Sequence, residues 1–428
     1  MTLTSLYASN RYWRIFATIS FLNQIVRVPL LLSLANSVKD LEVYFVISAT
    51  SIPIQFIAQD ILQYRNKALQ LQPLERIGLP LFACVSIIYV AFLHGFEIGC
   101  TYLIFSVSIV LHGASIGYLR ELFPAKIVLA IDALYHTGTT LMAVAFVVLI
   151  KDGTKLGHYV ILSQALMAFT ISVLNLLIVR HYRLDVLQLS KVATTNSIRH
   201  RSNTPLILIS LMVVTQLERL IISASQPVVL VCISLAAGVC QAWRKVGMDD
   251  AIVFERLRYR HGEDLYEAMY SELIKARLVF YTPLIFAIIA CVLINDIAIW
   301  FSTNGLLRSL DQSIYVKTAA IVCIYLAAMP PAIVSINTLR QRVVPLHKIG
   351  WGALILLGIA EIGVLTFPHA LVEHTNLAMV AIILNAGLCH VLFLASCPVP
   401  LSKSFFLLRF DIAVFIFIIS LLTWMKFL

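Results

Sequence analysis

The sequence predicts an all-α polytopic membrane protein: two six-helix bundles arranged as parallel repeats, followed by one further apolar run. Three observations predict it. The 428 residues are 60% hydrophobic and only 13% charged, about half the charge of a soluble domain. The apolar residues come in runs of about 20, the length that crosses a hydrocarbon core. Finally, the pattern Gln24-Ile25-Val26-Arg27 returns as Gln216-Leu217-Glu218-Arg219, matching glutamine and arginine at a single offset.

Spans are expected near 12–35, 41–62, 77–97, 101–119, 126–150 and 157–180 in an N-terminal lobe, residues 1–180. Residues 181–204 hold Lys191 and Arg199-His200-Arg201 and form a polar cytoplasmic linker. The C-terminal lobe, 205–400, carries spans near 205–224, 227–243, 277–301, 314–339, 349–367 and 376–397. Residues 205–243 as one helix would reach about 58 Å, about twice a membrane, so the chain turns at Ser225-Gln226-Pro227. Residues 401–428 add an extra C-terminal membrane helix near 404–427, giving twelve core helices plus a thirteenth. An odd number places the C-terminus outside if the N-terminus is cytoplasmic. The segment 247–276 is the one sizeable soluble piece. Leu265, Met269 and Leu273 recur four apart beside Glu263, Asp264, Glu267 and Glu272, predicting an amphipathic helix on the cytoplasmic surface.

The net charge of +10 sets topology and does not point to nucleic acid. Of the 32 Lys and Arg, 22 fall on alternate loops and the N-terminus, and five fall on the opposite set. Such asymmetry marks the rich side as cytoplasmic. The eight cysteines lie in or beside apolar runs without CxxC spacing, so they read as small buried hydrophobes. Met1–Asn10 has no basic n-region or cleavage site, so the first span is expected to be retained.

Two turns support duplication. Leu119-Arg120 … Pro124-Ala125-Lys126-Ile127 closes the fourth span, and Leu339-Arg340 … Pro345-Leu346-His347-Lys348-Ile349 closes its counterpart. Parallel repeats of this kind keep a substrate site at the repeat interface.

The ionisable residues inside spans are the candidate functional groups, because a charge at mid-membrane costs roughly 2.5–3.5 kcal/mol or more. Arg27 lies deep in the first span, and Arg219 is its repeat partner. Each is a cavity cation or a structural ion-pair partner. Asp132 and His136 stand four apart in the fifth span; the pair either carries a coupling proton or makes a polar contact between helices. Glu361 offers the same choice. His112, His390, Asn23, Asn175 and Asn385 are lone polar residues on apolar helices, for which hydrogen bonding between helices is expected. Pro29, Pro53, Pro283 and Pro330-Pro331 kink helices or mark their ends. The sequence has no GxxxxGK[ST] loop, HExxH or GxSxG, so no enzyme activity and no cofactor or metal are expected.

Three stretches resemble the multidrug/oligosaccharidyl-lipid/polysaccharide (MOP) flippase superfamily, in particular its bacterial polysaccharide and lipid-linked oligosaccharide exporters. These are Phe21 to Ile54, Thr215 to Ser223, and Ile297 to Arg340 with Ala327-Ala328-Met329-Pro330-Pro331. The resemblance implies a V-shaped MOP/MATE-like fold that opens alternately to each face. It also implies a polyprenyl-pyrophosphate sugar as substrate and the bacterial inner membrane as location. Under it, Arg27 and Arg219, beside Gln24 and Gln216, would hold the pyrophosphate, since Arg offers a planar fork of donors to phosphate oxygens. Expected partners are the lipid-linked sugar, membrane lipids, and a polysaccharide polymerase or chain-length regulator. Gln226-Pro227 and the thirteenth run depart from the family pattern. The alternatives are an ion-coupled multidrug or metabolite exporter of the same fold, or a membrane polymerase or glycosyltransferase. The first favours acidic residues in the first lobe; the second needs a larger external loop than any here.

Overall fold

The computed structural model describes eight helices, with isolated positions between 15 and 54, at 83–95, at 248–260 and at 355–359. The helices are α1 (Phe96–Leu122), α2 (Ala125–Ile150), α3 (Leu156–His181), α4 (Pro227–Gly247), α5 (Gly262–Val292), α6 (Gln312–Gln341), α7 (His374–Ser396) and α8 (Leu401–Trp424). No strand occurs among the described residues. Six helices, α1, α2, α3, α5, α6 and α8, are long and apolar enough to cross a membrane, and α4 and α7 carry shorter apolar stretches. Their outward side chains stay apolar: Phe96, Leu149, Phe286, Phe417 and Trp424 are all exposed. Water would oppose such a surface, whereas lipid accepts it. The chain is a multi-pass, all-α membrane protein.

The expected span 77–97 is described in part, helical at 83–88 and 90–92, whereas the expected spans 12–35, 41–62, 205–224 and 349–367 lie wholly or largely outside the described residues. So do the linker from residue 182 onward and the turn at Ser225-Gln226.

The chain divides into two compact units, Met1–Met212 and Val213–Leu428. In the first, α1 and α2 both pack on α3. A tight turn feeds α1: Gly95 takes φ +94°, where a side chain would be strained. Its N–H donates to the Ala91 carbonyl at 2.9 Å, closing the preceding helical stretch.

In the second unit α6 is central, and α4, α5, α7 and α8 all pack on it. Small buried residues, Ala320, Ala327, Ala328, Ala332 and Ser335, let neighbouring backbones come close. Pro330 and Pro331 lie inside this helix, which continues past them to Gln341.

The segment 247–276 differs from the expectation in where its helix ends. The amphipathic stretch is not a separate surface helix ending at 276. It is the first half of α5, which runs unbroken for 31 residues into the apolar span. Its apolar stripe is continuous: Leu265, Met269, Leu273, Ala276, Phe280 and Leu284 are all buried. Protein therefore covers this face. Glu272, also buried, accepts hydrogen bonds from Arg256 at 3.2 Å and Lys275 at 2.7 Å, tying the segment before α5 to the helix.

Pro283 sits within α5 and cannot donate to the carbonyl of Val279, four residues back. Trp243 of α4 supplies the missing donor: its indole N–H reaches the Val279 oxygen at 2.9 Å. Close approach of α4 and α5 makes this possible. A Cβ on Gly247 would stand 2.3 Å from Cγ1 of Val279.

Candidate functional site

The first unit gathers a polar stripe on α2. Asp132 Oδ1 lies 3.6 Å from Nε2 of His136, one helical turn away, with side chains about one third and one fifth accessible. That distance exceeds a hydrogen bond, and the two attract as charges once the ring is protonated. The next turn is rich in hydroxyls. Thr137, Thr139 and Thr140 donate to the carbonyls of Ala133, Tyr135 and His136 at 2.8, 2.7 and 3.0 Å. Such back-bonding hides hydroxyl donors from lipid and tends to bend a helix.

Two neighbours frame the stripe. His112 of α1 stacks on Tyr135, ring centroids 4.5 Å apart, and Tyr135 meets His136 edge-on at 5.3 Å. Asn23, a helical position in the first expected span, donates to Thr137 Oγ1 at 2.7 Å and to the Ile19 carbonyl, four residues back, at 2.9 Å. The bridge expected of Asn23 is therefore made, one residue from His136. Asn175 of α3 likewise donates to Ser115 of α1 at 2.9 Å.

Of the candidate residues, Asp132 and His136 are thus found together on α2. Gln24, Arg27, Gln216, Arg219 and Glu361 lie outside the described residues. Among the described residues no group of three His, Cys, Asp or Glu side chains could hold a metal ion.

A second polar cluster escaped the sequence reading. Asp411, near the middle of α8, is fully buried. Arg277 of α5 grips it with a two-pronged pair, Nε to Oδ1 at 2.9 Å and Nη2 to Oδ2 at 2.9 Å, and Nη2 also donates to the Leu407 carbonyl. Tyr281, one turn further along α5, donates to Oδ1 at 2.6 Å. The guanidinium also lies 5.6 Å from the Phe410 ring centroid. The expected span 277–301 leaves Arg277 at its very edge, where a cation needs no partner. The usable signal was Asp411 itself, an acid within an apolar run that needs a partner. His390 departs from its expectation too: neither ring nitrogen makes a hydrogen bond.

The fold and these polar clusters define a helical membrane protein with hydrogen-bonded and ion-paired groups inside its helices. The structure is similar to that of the lipid II flippase MurJ in an inward closed conformation, with TM-score 0.53 and 12% identity over 96% of this chain and 98% of that one. A multidrug resistance MATE family transporter of the MOP superfamily, outward-facing, aligns with TM-score 0.45 and 13% identity over 97% of each chain. No family pattern matches the sequence, and no curated protein matches it. At 12% identity the likeness to the lipid II flippase structure is one of fold alone.

Proposed function

We propose that the protein is a flippase. It moves a polyprenyl-pyrophosphate-linked oligosaccharide, a precursor of a cell-surface polysaccharide, across the bacterial cytoplasmic membrane by alternating access. The observation that carries the reading is the likeness in fold to a lipid II flippase across almost the full length of both chains. The basic character of the candidate residues agrees with it. Arg27 and Arg219, one from each half of the sequence, supply planar donors for the diphosphate, and Gln24 and Gln216 add neutral donors.

Asp132, His136 and Glu361 are the groups assigned to coupling with an ion or proton. The contact of Asn23 with Thr137 supports treating the first span and α2 as one polar surface, since Arg27 follows Asn23 by four residues in sequence. Membrane lipids surround the bundle, and a polymerase or chain-length regulator would take over the delivered substrate outside.

The deciding experiment uses a deletion strain that accumulates a lipid-linked sugar. Arg27→Ala and Arg219→Ala should each restore protein to the membrane without restoring export. Full export by both variants overturns the anion site.

A further inference from the structure

We propose that Arg409 of α8 is a binding site for the phosphate of a membrane phospholipid, held where the hydrocarbon core meets the headgroups.

Arg409 is exposed, yet it lies within the apolar span Ser402–Trp424. Standing two residues before Asp411, it is turned about 160° around the helix from it, away from the ion pair that joins α8 to α5. Around it on that side of α8, Phe405, Phe406, Ile416, Phe417 and Trp424 are each more than half exposed. Such a surface faces lipid. A guanidinium there needs an anion, and the protein supplies none: among the described residues Asp411 pairs with Arg277, and Glu272 with Arg256 and Lys275. Arg409 instead lies over the Phe406 ring, its Cζ 3.8 Å from the centroid.

That contact fixes a direction. Phe406 comes three residues earlier, so the guanidinium points back toward the start of α8, as long helical side chains do, and the ring face holds it there. Depth agrees. Trp424 follows Arg409 by fifteen residues, about 22 Å of helix. With Trp424 at one membrane boundary, where tryptophan concentrates, a core of about 30 Å leaves about 8 Å between the Arg409 backbone and the other boundary. The arginine stem spans most of that gap and delivers its donors to the level of the phosphates.

A phospholipid matches both parts of the site. Its phosphate oxygens fit the planar fork of donors, and its acyl chains cover Phe405 and Phe406. Free phosphate would fit the fork but leave the rings bare. Lys403, also exposed, adds positive charge at the same end. The excess of Lys and Arg places that end at the cytoplasmic leaflet, whose anionic lipids carry the complementary charge. The site does not depend on the substrate proposed above.

Solid-state NMR of the full chain, carbon-13 labelled at arginine Cζ, tests this through carbon–phosphorus dipolar dephasing in phosphatidylglycerol bilayers. The Arg409 signal is the one removed by Arg409→Lys or by Arg409→Gln; the side chain is exposed, so either change leaves the packing intact. That signal should lose most of its intensity to lipid phosphorus. In bilayers of a phosphorus-free galactolipid with inorganic phosphate in the buffer, it should keep its intensity. No loss in phosphatidylglycerol, or an equal loss with inorganic phosphate, overturns the proposal. Neither measurement involves export, so either outcome leaves the flippase reading to its own test.

Discussion

Asp411 and Arg277 show how a single charge constrains a membrane helix. With Asp411 fully buried and its partner about four fifths buried, removing one member strands the other. Asp411→Ala or Arg277→Ala should destabilise the second unit by about 3–5 kcal/mol, measured as a lowered unfolding midpoint in detergent. Arg277→Met/Asp411→Leu should fall much less, because no buried charge is left alone. Trp243 offers a second residue-scale case. Trp243→Phe leaves the Val279 carbonyl without its donor, a loss of about 1–3 kcal/mol. In a Pro283→Ala background the backbone N–H at 283 returns, and a double-mutant cycle should show the Trp243→Phe penalty falling by at least about half. Gly247→Ala should cost about 1–3 kcal/mol by overpacking against Val279, and Val279→Ala should recover part of it.

At the scale of elements, α5 is the one whose extent sequence spacing divided, whereas α8, Leu401–Trp424, closely follows the expected run 404–427. The periodicity of Leu265, Met269 and Leu273 was legible, and so was the amphipathic character. What covers that face was not, because lipid and protein satisfy an apolar stripe equally well. Side chains of α5 converge on one turn of α8. Arg277 meets Leu407, Phe410 and Asp411, and Tyr281, further along α5, meets Phe410 and Asp411. The excess of Lys and Arg before α5 and the alternation of expected spans predict that α8 runs outward. A phosphatase fusion after residue 428 should be active outside the cell, and a fusion at residue 400 inactive. Activity at 400, or none at 428, contradicts this orientation. Chains ending at residue 400 should fail to accumulate, since Leu407, Leu408, Ile418 and Leu422 no longer cover the unit and Arg277 loses its partner.

At the scale of the molecule, the multi-pass helical class was plain in the sequence, because lipid demands apolar runs and internal backbone bonding whatever the topology. The candidate site was legible only in part. Asp132 and His136 are close because four residues make one helical turn, and local geometry suffices to see that. Their neighbours Asn23 and His112 come from other helices, and no spacing rule reaches them. Substitution should separate the two roles: Asp132→Asn and His136→Gln should leave protein levels near normal while weakening the dependence of export on the ion or proton gradient, followed in energised vesicles. Unchanged gradient dependence in both variants would remove this pair from the coupling step.

The sequence by itself determined the solvent of this protein, the helical class and the residues too costly to bury without a partner. Hydrophobicity, helical period and charge are properties of neighbouring residues, so they survive without a fold. Only the tertiary structure decided which partners those residues find: Asp411 with Arg277 across more than a hundred residues, Trp243 at the carbonyl that Pro283 frees, Asn23 beside the α2 stripe. Each depends on side chains brought together from distant helices, and packing in three dimensions alone specifies that.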